Sequence, residues 1–293
     1  MIPLSLLWEE LIKRLIALNL YKSGIESKFD VLKPTTAILQ EILVDFMQRK
    51  LPYRRVARLA GLLLLSGVDG AHAHWQEMVL HYLANKRQPD GAWVDCEDTV
   101  WCIYVLQCLG EKPEVLERSR KWLTTERSGD GWGYCQRDAP CIPISSTIRF
   151  LVPALCDDRS STWLYEQWLR DFSGPVRLSY KAAWFLLSQG RQEKDLRLGE
   201  QTLKHLLVDQ REDGGWGPWR EHPAPTDCFS TGIAMWAIAS SHSDNQTDEA
   251  LERAIQWCES LRLDNGLFAT HYIEEGSAWI HLGWSAALRQ LNK

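Results

Sequence analysis

No stretch of this chain is apolar for long enough to cross a bilayer: the longest aliphatic run is Leu62 to Leu65, against the ~20 residues a spanning helix needs. The N-terminus lacks a basic region and a small-residue cleavage site, so no signal peptide is read and a cytoplasmic location is expected. A Lys/Arg cluster is missing too and the formal net charge is −5, which argues against nucleic acid as a partner. There is no Walker loop, G-x-G-x-x-G turn, G-x-S-x-G elbow or H-E-x-x-H helix. None of the 8 cysteines forms a C-x-x-C pair, and Cys102, Cys108, Cys156 and Cys258 fall in apolar helical runs, the usage of reduced thiols rather than of a disulfide scaffold. Alternating strand patterns of useful length are also lacking.

Tryptophan, by contrast, is abundant: 15 in 293 residues, which calls for repeat packing, an aromatic-lined cavity, or both. The segment Gln210-Arg211-Glu212-Asp213-Gly214-Gly215-Trp216 reads Q-x-x-D-G-x-W. Weaker copies stand at Arg87 to Trp93, at Ser128 to Trp132 and at Arg262 to Phe268. Their closing aromatics are spaced by roughly 40, 80 and 50 residues, giving units of about 40 to 50 with one degenerate copy, around Gly174-Pro175, in the wide gap.

Each unit reads as a polar outer helix, the Gly/aromatic turn, and an almost wholly apolar inner helix that opens on a small hydroxyl residue. Inner helices are predicted to begin near Thr36, Thr99, Thr147, Ser179, Thr231 and Ser277. Outer helices are predicted over 4–20, 72–86, 114–125, 160–171, 195–209 and 247–261, with 54–66 as an extra helix. In each turn glycine supplies a backbone conformation that side chains disfavour, and Trp93, Trp132, Trp216 and Phe268 hold repeats together without touching substrate.

These turns resemble the QW-type repeats of the terpene cyclase and prenyltransferase superfamily, with the closest likeness to the β-type domain of class II terpene cyclases (squalene-hopene cyclase-like), over most of residues 30 to 291. The resemblance implies an all-α fold: a single α/α barrel domain over 1–293, of six inner and six outer helices, with 1–30 as an N-terminal helix and connector. Residues 4 to 20 have the pattern of an amphipathic helix able to touch a membrane surface.

Function should lie where the repeats differ. Aligning inner-helix starts places Asp98, Ser146 and Ser230 as N-caps before Thr99, Thr147 and Thr231. Capping does not account for the excess of carboxylates in Asp95-Cys96-Glu97-Asp98, which the stretch before Thr147 lacks. Crowded carboxylates favour retention of a proton, whereas the helix N-terminus opposes it.

Asp95-Cys96-Glu97-Asp98-Thr99 is similar to the D-x-D-D-T motif of class II cyclases, which protonates an alkene or epoxide to start a carbocation cascade. The match implies Glu97 as proton donor, one methylene longer than the family's Asp, with Asp95 and Asp98 as supporting carboxylates. Trp101, Trp184, Trp236, Trp279 and Trp284, on inner helices, are candidates to line a cation-stabilising, substrate-binding cavity or simply to fill the core.

Asp227-Cys228 with His281 resembles the zinc ligands of prenyltransferase β subunits, though that family separates its Asp and Cys by one residue. His222 and His271 are loop histidines that stand as substitutes. Asp157-Asp158 lacks the later carboxylate of a magnesium-binding D-D-x-x-D motif and reads as a helix terminus.

The expected function is thus acid-initiated cyclisation of a linear isoprenoid or meroterpenoid, with no cofactor. A homodimer, a membrane surface or a small substrate would compensate for the missing second domain of larger relatives. The alternatives are a zinc-dependent prenyltransferase-like subunit and a non-catalytic barrel that binds a lipid or protein.

Overall fold

Inner and outer helices alternate along the chain of the computed structural model, which describes residues 30–68, 74–189, 193–241, 244–270 and 272–292. The outer helices are α1 (Lys33–Gln48), α3 (His74–Lys86), α5 (Pro113–Thr125), α7 (Asp158–Phe172), α9 (Glu193–Val208) and α11 (Asn245–Ser260). The inner helices are α2 (Tyr53–Leu65), α4 (Cys96–Cys108), α6 (Ile142–Leu151), α8 (Ser179–Leu187), α10 (Cys228–Ala239) and α12 (Ile273–Leu291). Each inner helix packs on the next, and α12 packs on α2, so the inner ring closes. Single-turn 3-10 helices, Asp30–Leu32 and Pro153–Leu155, complete the regular structure, and no strand occurs among the described residues.

Two layer assignments differ from the sequence reading. The helix containing Thr36 is an outer one: it buries Ile38, Leu39, Leu43, Phe46 and Met47, a single stripe at helical spacing. The supposed extra helix is the sixth inner helix, α2, which beyond its first turn buries Val56, Ala57, Leu59, Ala60, Gly61, Leu62 and Leu63. The turn joining α1 to α2 carries neither glycine nor tryptophan, and its tight bend falls on Lys50 at φ 56°. The predicted helix over 4–20 lies outside the described residues.

The repeated turns hold the layers by repeated hydrogen bonds. The indole N–H of Trp93, Trp132 and Trp216 donates to Leu83, Leu123 and Leu206 in the preceding outer helix, at 3.1, 2.7 and 2.8 Å. Their backbone N–H groups, with that of Phe268, donate to Thr99, Ser145, Thr231 and Ser277 on the following inner helix, at 2.9–3.1 Å. This places Ser145, not Thr147, as the third repeat's hydroxyl.

Gly214 (φ 94°) and Gly266 (φ 84°) lie in the left-handed region and press on the next outer helix. A Cβ at Gly214 would sit 2.5 Å from the Arg253 carbonyl oxygen of α11. One at Gly266 would sit 2.8 Å from Pro34 Cβ on α1, so the last turn closes the outer ring on the first helix. Gln210 spans the same joint, its amide donating to Gly214 and Ala250 carbonyls at 2.7 and 2.8 Å.

Candidate active site

The carboxylate-rich segment begins α4, and its N-cap is Asp95, whose carboxylate accepts from the Asp98 N–H at 2.8 Å. The caps lie three to five residues before the positions the sequence alignment predicts. In the structure they are Asp95, Cys141 and Asp227, in place of Asp98, Ser146 and Ser230. Asp98 is thereby freed from capping and lies buried, 3 % exposed. Burial pushes its pKa up, against the opposing pull of its hydrogen bond to Arg54.

The first two turns of α2 supply the counter-charges, which the sequence reading missed. Arg54 clamps Asp98 through Nε and Asp95 through Nη2, both at 2.6 Å. Arg58 lies between Glu97, at 2.8 Å, and Glu275 of α12, at 3.1 Å. Arg55 pairs with Glu274. Five carboxylates therefore share three guanidiniums, which leaves negative charge in excess. The arginines, Leu59, Glu97, Glu274 and Glu275 line a cavity of about 180 Å³. Nearby, the Tyr53 hydroxyl is buried without a partner, and burial pushes its pKa up to about 12.

Glu97 and Trp101 are four residues apart on one helix face, so the carboxylate stands one turn nearer the mouth than the indole. Trp101 meets Trp279 edge to face (6.4 Å), Trp279 meets Trp184 (6.2 Å), and Trp184 meets Trp236 (6.2 Å), which ends on Phe150 (5.0 Å). Phe229 packs on Trp279 from the side at 5.1 Å. Four of the five candidate tryptophans thus form one column linking α4, α12, α8 and α10, each 5 % exposed or less. Trp284 stands apart, 6.0 Å from the turn residue Phe268.

The alternative zinc residues are each engaged separately. Asp227 caps α10, accepting from Ser230 N–H at 2.7 Å. The buried Cys228 thiol is pushed up to about 12 by desolvation, and His281 Nε2 is bonded to Thr36 at 2.8 Å. No group of three or more His, Cys, Asp or Glu side chains among the described residues is arranged to hold a metal. The ring of His222 accepts from Ala224 N–H at 3.1 Å and packs on Trp219; His271 lies outside the described residues. Asp157 is a helix terminus, as its sequence context predicts: it forms a capping box with Ser160 and pairs with Arg127. All eight cysteines are free, and no helix among the described residues is long and apolar enough to cross a membrane.

No family model and no curated protein matches the sequence. Solved structures do. A variant of the type II terpene cyclase MstE from Scytonema, in complex with its substrate geranylgeranyl dihydroxybenzoate, aligns with a TM-score of 0.69 at 14% identity, covering 89% of this chain and 99% of that one. A protein from Actinoplanes aligns at 0.61 with 13% identity, over 88% of this chain and 100% of that chain. The ent-copalyl diphosphate synthase from Streptomyces platensis aligns at 0.55 with 16% identity, over 82% of this chain but 50% of its own. The chain therefore has the helical-barrel fold of the type II terpene cyclases, over nearly the full length of MstE.

Proposed function

We propose that this protein is a class II-type terpene cyclase that starts carbocationic cyclisation of a linear isoprenoid or meroterpenoid by protonating it. The observation that carries the reading is the stacking of Glu97 one turn above the tryptophan column, within a cluster that holds more carboxylates than guanidiniums. The fold supports it, since MstE has been captured with geranylgeranyl dihydroxybenzoate and with merosterolic acid A.

In this chemistry the Glu97 O–H adds its proton to a terminal alkene carbon or epoxide oxygen. A tertiary cation forms on the substrate and a carboxylate on the enzyme. The Arg58 guanidinium, 2.8 Å away, stabilises the negative charge left on the Glu97 carboxylate. Asp95 and Asp98, fixed by Arg54, keep the surroundings negative, so the acid recovers a proton from solvent. The faces of Trp101, Trp279, Trp184 and Trp236 stabilise the migrating cation without trapping it, until proton loss or water capture ends the cascade. The mouth cavity is smaller than ordinary ligand pockets, so the column must part for a prenyl chain to enter.

The test is incubation with linear prenyl substrates of graded length and head group, with product mass and structure determined. Glu97→Gln should abolish cyclisation and leave the thermal midpoint nearly unchanged. Wild-type turnover by Glu97→Gln, together with its loss in Asp227→Asn, would place the acid on another inner helix.

A further inference from the structure

Glu97 and Glu275 hold the same place in two different repeats. Each lies two residues before the hydroxyl that receives the turn aromatic's backbone N–H, Thr99 in one case and Ser277 in the other. The ring topology sets α4 and α12 on either side of α2, so these two positions converge on one side chain, Arg58. That guanidinium, 17 % exposed, also lies over the Trp101 ring at 5.8 Å.

One cation thus faces two equivalent carboxylates, with the aromatic column beneath it. On the acid role proposed above, these two pairings cannot be equally useful. A guanidinium on Glu97 favours the carboxylate and strips the acid of its proton, yet the same contact stabilises the carboxylate once the proton has gone.

We infer that Glu275 is a positioning residue for the protonation step: it draws Arg58 aside while Glu97 carries its proton, and releases it to Glu97 as the proton leaves. No co-reactant is needed. The Glu97 O–H bond breaks, a C–H bond forms from the alkene π pair (an O–H bond, for an epoxide), and Arg58 exchanges one carboxylate for another. Other charged and titratable groups around Arg58 are already engaged or are neutral. Asp98 is held by Arg54 and Glu274 by Arg55, while the Tyr134 hydroxyl has its pKa raised by burial. Glu275 is therefore the available second partner, and at 40 % exposure it tolerates substitution.

The test is the pH dependence of cyclisation in Glu275→Gln, Glu275→Asp and Arg58→Gln, with Glu97→Gln as reference. In Glu275→Gln the guanidinium stays on Glu97. The alkaline limb should move to lower pH by about one unit, which above the limb is about a tenfold loss of rate. Glu275→Asp should restore part of the shift. Arg58→Gln should move the limb the opposite way, to higher pH, while lowering the plateau, because the carboxylate formed has lost its counter-charge. A merely structural pair would lower activity without displacing the limb. Unshifted limbs in both Glu275 variants, with Glu97→Gln inactive, overturn this inference and leave the acid assignment standing. An active Glu97→Gln overturns the acid assignment itself. Thermal midpoints establish that each variant is folded; should Arg58→Gln not fold, the two Glu275 variants decide alone.

Discussion

Asp95 and Asp227 are one residue seen in two repeats: each caps an inner helix by accepting the backbone N–H three residues on, at 2.8 and 2.7 Å. Each is followed by a buried cysteine and then, four residues after the cap, by the threonine that receives a turn tryptophan's N–H. The shared frame is D-C-x-x-T, filled by Glu97 and Asp98 in one copy and by Phe229 and Ser230 in the other. The cap is thus common to both repeats, and what distinguishes α4 from α10 within this frame is the pair Glu97 and Asp98.

Asp227→Ala should therefore cost about 1 kcal/mol of stability through loss of the cap and leave cyclisation at the wild-type rate. Asp95→Asn keeps a capping oxygen but loses the charge that holds Arg54, so its effect should be the reverse: little change in stability and a slower reaction. Chemical denaturation and turnover measured on the same preparations separate the two. Wild-type turnover by Asp95→Asn would show that the charge on this cap has no part in the reaction.

The tightest helix contact lies between α10 and α12, where a Cβ on Gly232 would sit 2.4 Å from the Trp279 carbonyl oxygen and one on Gly283 2.4 Å from that of Gly232. The atoms met are backbone, which cannot turn away. Gly283→Ala should destabilise by about 1–3 kcal/mol or more, the range of overpacked cores, and shift Trp279 within the column. Gly110→Ala, at a left-handed glycine (φ 86°) with nothing within 4 Å, is the contrasting case of backbone strain without a clash, since Gly283 is helical and meets the clash alone. Thermal midpoints of the two should differ clearly; similar midpoints would mean the α10–α12 joint can give.

The repeats made most of this fold legible, because Q-x-x-D-G-x-W is a set of contacts written in order: a spanning amide, a left-handed glycine and an indole that ties two layers. Where those residues are missing, the reading slipped. The α1–α2 turn has neither, so α2 passed for an extra helix and α1 for an inner one. The same slip hid Arg54 and Arg58, since charge at the start of an apolar helix reads as a solvated end until ring closure sets it against α4 and α12. Arg54-Arg55-x-x-Arg58, three cations on one helix face, was the available signal. The tryptophan column needed three dimensions, for its members come from four helices.

Zinc content separates the cyclase reading from the prenyltransferase-like one without any substrate. Asp227 caps a helix, Cys228 is buried with its thiol pushed up to about 12, and His281 bonds Thr36. Protein purified in the presence of zinc should carry far less than one equivalent by elemental analysis. About one zinc per chain, lost in both Cys228→Ala and His281→Ala, would favour the prenyltransferase-like reading.

His281 should also make the fold sensitive to acid. Its Nε2 lies 2.8 Å from Thr36 Oγ1, whose own proton goes to the Leu32 carbonyl at 3.0 Å, so the imidazole must donate through Nε2 and leave Nδ1 bare. Nδ1 is buried with no acceptor beside it. Protonation there would bury an unpaired N–H as well as a charge. Burial first, and Arg289 second, lower the pKa to about 4. The folded protein therefore binds this proton less readily than the unfolded chain, so stability from this group is complete above about pH 6.5 and declines as pH falls towards 4, by roughly 3 kcal/mol in all. Asp98 works in the other direction: its pKa is raised on folding, so acid relieves the cost of burying its charge. Unfolding free energies between pH 4 and 7 should accordingly slope upward with pH in the wild type and much less in His281→Gln, whose amide N–H can still reach Thr36. An unchanged slope in that variant would mean that the proton taken up on acid unfolding belongs to another group.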